Sequence, residues 1–169
     1  MASQIVNEIK TKSDAAFARL RRQIDGLEAH ADRADAPGQW TAREVVAHLV
    51  SEPGLDPVAG LKAFAEHNFP TIDVDLGKNR LTPDRKTMSL KQLADALDRQ
   101  RQQVLAYVSG LSDEDLTRRK ARVHVLKALA GTDEVPLQMF AAAILDFHVN
   151  DHVGQLAKIR KAVGLPEVN

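Results

Sequence analysis

Leu137-Gln-Met-Phe-Ala-Ala-Ala-Ile-Leu-Asp-Phe-His-Val-Asn-Asp-His-Val-Gly-Gln-Leu-Ala-Lys-Ile-Arg-Lys-Ala-Val163 carries one long helical stripe. Leu137, Ala141, Ile144, His148, His152, Leu156, Ile159 and Val163 follow one another at intervals of three or four. That spacing lays them along one face of an α-helix. Pro136 is suited to the first helical position, and Gly164 with Pro166 ends the run. Six of these eight residues are apolar, so the stripe is a core face. His148 and His152 stand on it where the pattern asks for apolar side chains. Two histidines buried side by side need depressed pKa values or a shared partner. One turn apart on one face, their rings can reach a single metal ion, which binds neutral imidazole. A hydrogen-bonded pair of core histidines is the alternative.

Working outward, three more amphipathic segments appear. Ile5, Ile9, Ala16, Leu20, Ile24 and Leu27 give a helix over 4–27. Thr41 with Glu44 forms a capping box for a second helix carrying Val45, Val46, Leu49 and Val50. Trp40 precedes that cap, where an apolar ring can staple onto the first turn. A shorter helical piece spans about 56–67. Ser89 caps a helix with Leu90, Leu93, Leu97, Val104, Leu105 and Val108 inward, ended by Gly110. Residues 68–88 lack a pattern and are read as a long loop, with 71–76 as a possible extended piece. A short capped turn covers 111–116. The segment 118–129 reads equally as an irregular strand or a short helix. Strand signals are few, so the expectation is all-α, an up-and-down four-helix bundle with a short extra helix, forming one domain over 1–169.

Composition narrows the function. Lys plus Arg and Asp plus Glu are 23 each, which argues against a nucleic-acid or anionic-membrane binder. No run reaches the ~18 apolar residues a membrane helix needs. No signal peptide is visible, so the expected location is cytoplasmic. There is no cysteine, hence no disulfide, no thiolate nucleophile and no cysteine zinc site.

His48 lies beside Val45 and Leu49, and so at the core or its margin. Ligands in bundles project inward from facing helices. Three histidines from two helices would leave open positions, as in a catalytic rather than a structural zinc site. Glu52, one turn on, is the candidate base, with a solvated helix end as its alternative. Asn150 and Asp151 flank His152 and are candidates to support a ligand. Val149 stands where a zinc protease of the His-Glu-x-x-His type carries its glutamate, which excludes that activity. His30, His67 and His124 have no patterned partner.

Two stretches resemble the DinB/YfiT-like superfamily of metal-binding four-helix proteins. One is Trp40-Thr-Ala-Arg-Glu-Val-Val-Ala-His48-Leu49, and the other is His148-Val-Asn-Asp-His152-Val-Gly-Gln155-Leu156. The resemblance implies one divalent metal, zinc, nickel or iron, held by His48, His148 and His152. It implies a thiol S-transferase or hydrolase acting on a small molecule such as a low-molecular-weight thiol, and a homodimer. Any thiol must come from a cosubstrate, with Lys78, Arg80 and Arg85 placed to meet its charged groups. A metal- or small-molecule-sequestering bundle is the competing function, and a structural dimer with metal-free core histidines is a third.

Overall fold

Serine and threonine hydroxyls start most of the helices. In the computed structural model, which describes residues 3–168, Ser3 caps α1 (Gln4–Ile24) and Thr41 caps α2 (Ala42–Leu49). Ser89 caps α5 (Leu90–Ser109) and Ser112 caps α6 (Asp113–Arg118). At Thr41, Ser89 and Ser112 the third helical residue returns a bond to the cap amide, completing capping boxes. Each cap contributes about 1 kcal/mol by satisfying amides that no intrahelical carbonyl can reach. The short α3 (Ala59–Glu66) and α4 (Pro83–Thr87) lie between α2 and α5.

The last helix begins as α8 (Leu137–Ala142), passes through one π-helical turn (Ala143–Phe147) and continues as α9 (His148–Ala162). Pro136 sits at its cap rather than inside its first turn. The expected stripe is preserved at Leu137, Ala141, His152, Leu156 and Ile159, all buried. The π turn, which the spacing did not foretell, widens the helix by one residue. It brings Leu145 and Val149 inward and leaves Phe147 47% exposed.

α1 packs along α5 and α9, and α2 packs along the same two helices. The four-helix bundle therefore runs α1–α5–α2–α9 around its ring, with the consecutive helices α1 and α2 diagonal to one another. α1 ends three residues earlier than the periodicity suggests, because Gly26 adopts a left-handed φ of 77°. Leu27 is nonetheless fully buried.

Two apolar cores are stacked along the bundle. One joins Leu20, Leu27, Val45, Val46, Leu93, Val149, Leu156 and Ile159. The other joins Val6, Leu61, Phe64, Val104, Val108, Leu116, Leu137 and Phe140. The second core is closed by a small hairpin of β1 (Lys120–Arg122) and β2 (Glu134–Pro136), with Ala121 opposite Val135. The ambiguous 118–129 segment is thus the end of α6, then strand at 120–122, a tight turn and the short α7 (Lys127–Ala130). The expected extended piece at 71–76 reduces to one bridge, Thr71 beside Arg122. Among the described residues no helix is long and apolar enough to cross a membrane.

Candidate metal centre

α2 and α9 face each other, and their histidines meet between them. His48 Nε2 lies 2.9 Å from His148 Nε2, which lies 3.1 Å from His152 Nε2. His48 and His152 are buried, and His148 is partly open. Trp40, read from the sequence as a staple, closes the cluster on one side. Its ring centroid is 4.8 Å from His48 and stacks at 6.2 Å on His152.

The other nitrogen of two of these rings is fixed. His48 Nδ1 lies 2.5 Å from the Lys78 carbonyl, which can only accept, so that nitrogen carries the proton. His152 Nδ1 donates to Gln155 Oε1 at 2.9 Å. In their neutral forms both rings therefore turn an unprotonated Nε2 towards His148, which can donate to only one of them. At least one lone pair is left pointing into the cluster without a proton to meet. A cation answers that arrangement, and carbonyl or amide partners on the outer nitrogens are the usual support of metal-bound histidines. Two nitrogens bound to one ion at about 2.0–2.1 Å can be no more than about 4.2 Å apart. Both separations from His148 satisfy this, and the three ligand atoms together lie within 4.8 Å of one another. The residues present therefore fit a metal ion.

Electrostatics favours the neutral form of His148 and His48, the form that binds metal. Burial, reinforced by the neighbouring His152 and His48 and by Arg80, pushes His148 from the usual 6.5 down to about 3. Burial also lowers His48, against the Lys78 carbonyl, which favours its charged form.

The segment 78–85, part of the loop without pattern, is strapped along α2. The Asn79 amide donates to Glu44 Oε1 at 2.9 Å, and Arg80 Nη1 donates to the His48 carbonyl at 2.6 Å. Arg85 is 7% exposed and donates to the carbonyls of Ala47, Val50, Ser51 and Arg80. It closes the C-terminal end of α2 from inside, and desolvation holds its pKa below the usual arginine value. Arg85 is thus a clamp on the main chain and does not face the cleft as expected.

Glu52 pairs with Lys78 at the surface, and that ammonium holds its carboxyl below the usual range. It is not among the groups that meet at the histidines. Asn150 is bonded to Arg19 and Asp146, tying α9 to α1. Asp151 is exposed. Of the flanking residues, Gln155 does what had been expected of Asn150 or Asp151, and its place three residues after His152 was already visible in the closing motif. Among the remaining histidines, His124 pairs with Asp133 at the surface.

The family model of the DinB superfamily matches residues 12–156. This chain belongs to the DinB superfamily. Comparison with curated proteins finds no match. Among solved structures it is similar to YfiT from Bacillus subtilis, described as a probable metal-dependent hydrolase with an unusual four-helix bundle topology. The two are 16% identical, with a TM-score of 0.75, over 98% of this chain and 92% of that one. At that identity the likeness establishes a shared fold, and within it the DinB motifs at Trp40–Leu49 and His148–Leu156 fall on the two helices that carry the histidine cluster.

Proposed function

We propose that this DinB-superfamily protein is a metal-dependent enzyme of the hydrolase type in which His48, His148 and His152 hold one divalent cation, zinc, nickel or iron. The convergence of three ring nitrogens, with Nδ1 of His48 and of His152 fixed on acceptors, carries this reading. When bound, such a cation supplies Lewis acidity, which makes water or a thiol a nucleophile near neutral pH. His48 and His152 are oriented from behind by Lys78 and Gln155. His148 opens onto a cavity of about 270 Å³ in which a small molecule can be held. The description of YfiT favours water as the nucleophile. In thiol S-transfer the thiol would belong to a cosubstrate, since this chain has no cysteine.

The test is metal content first, on protein purified without a histidine tag or chelator. About one equivalent per chain is expected, falling below a tenth in the His48/His148/His152 triple alanine variant. Full metal in that variant would remove the assignment. Turnover of activated esters, or conjugation of an electrophile with low-molecular-weight thiols, then separates an enzyme from a sequestering protein. Rates equal to those of the triple variant would leave only binding.

A further inference from the structure

Three basic residues of the strap stand near the histidines, and two of them are engaged. Lys78 pairs with Glu52, and Arg85 is buried on main-chain carbonyls. Arg80 differs. Its Nη1 donates to the His48 carbonyl, and among the described residues no carboxylate lies within ion-pair distance of its guanidinium. Its backbone is held at a φ of 55°, a left-handed conformation that is unfavourable for a side-chain-bearing residue. The bonds from Thr82 and Arg85 to its carbonyl keep it there. Strain of this kind persists where surrounding structure imposes it, often at binding sites.

Arg80 and His148 line the same cavity. Apolar side chains, including Leu61, Val104 and Phe140, form most of the remaining wall. Gly60, also in the wall, lets the Phe140 ring approach closely. A Cβ there would sit 3.1 Å from the Phe140 ring. The other arginine of the wall, Arg101, is neutralised by Asp14 at 2.6 Å and Asp98 at 2.9 Å. Asp73 and Asp75 also contribute to the wall but are exposed, and the Asp75 carboxylate accepts from the Gly77 amide. At about 30 Å³ per water-sized group, the cavity holds a body of roughly nine such groups.

We propose that the cavity receives a compact amphiphilic anion, its apolar body against Leu61 and Phe140 and its acidic group on Arg80 beside the histidines. This deepens the enzymatic reading by naming the substrate class, a small acyl- or aryl-bearing acid whose reacting group lies next to its negative charge. A guanidinium presents paired donors to a carboxylate, which a neutral head group cannot match.

Octanoate, acetate and octanol are the probes, titrated calorimetrically into zinc-treated and metal-free full-length protein, as wild type, Arg80→Met and Arg80→Lys. Octanoate is expected to bind at least about tenfold tighter than acetate, through the apolar wall, and about tenfold tighter than octanol, through Arg80. Arg80→Met abolishes the preference over octanol, and Arg80→Lys keeps part of it. Octanoate binding no tighter than acetate or octanol in the wild type overturns the proposal, whatever the variants do. So does an Arg80→Met protein of unchanged circular dichroism that binds octanoate as the wild type does. Zinc content is read on the same samples. A protein that takes no zinc yet shows the Arg80-dependent preference supports the amphiphile site while refuting the metal centre.

Discussion

Arg85 and Arg160 are the same device used at two places. Both are buried, at 7% and 4% exposure, and neither forms an ion pair among the described residues. Each gives N–H groups to main-chain carbonyls at a helix C-terminus. Arg160 joins α9 to the end of α1 through Gln23 and Asp25, and to the chain's end through Pro166. Arg85 joins the end of α2 to the strap that carries Lys78 and Arg80. The difference lies in what the clamped main chain holds. At α1 it holds only packing. At α2 it holds His48, whose ring leans on the Lys78 carbonyl. A single physical device therefore serves packing alone at one site and packing together with the placement of the His48 ring at the other.

The largest effect that would break this comparison is on folding. Arg160→Met strands several buried carbonyls and is expected to cost about 3 kcal/mol in chemical denaturation, with zinc affinity of the folded protein unchanged. Arg85→Met should cost about as much and also weaken zinc binding by about tenfold. Equal zinc affinities in the two folded variants would erase the distinction.

Acid sharpens it next. The folded-state value of His148 lies near 3 and its unfolded value near 6.5. The unfolded chain therefore takes up a proton that the folded chain refuses, and metal-free stability declines as pH falls from about 6.5 towards 3. Arg160→Met should keep that decline, measured as the shift in denaturation midpoint, and His148→Ala should flatten it.

Smaller again is Gln155→Ala. It is expected to lower zinc affinity by about tenfold while leaving the denaturation midpoint nearly unchanged, since it removes one outer hydrogen bond. Smallest is Glu52→Gln. Its carboxylate is half-buried at the surface, paired with Lys78 and apart from the histidine cluster, so metal content and turnover should stay close to wild type. A large loss of turnover with metal retained would restore Glu52 as a base.

How much of this was legible depended on periodicity. The stripe of the last helix, the capping box at Thr41, the cap at Ser89, and the inward place of His48 all follow from residue type at fixed spacing. The strap was not legible, because its bonds run from Asn79, Arg80 and Arg85 to main-chain atoms or a cap carboxylate far away in sequence, and such bonds leave no period. The hairpin escaped for a different reason: strands of three residues are too short to alternate. Nor did the sequence reveal the π turn, since Ala143 to Phe147 would sit equally well in an ordinary α-helix.

That π turn has a consequence of its own. One rod, α8 through α9, must show an apolar face first to the core around Phe140 and then to the core around Leu156, and these faces need not point the same way. A single wider turn works as an angular offset between the two halves, setting the compass bearing of His148 relative to the hairpin end.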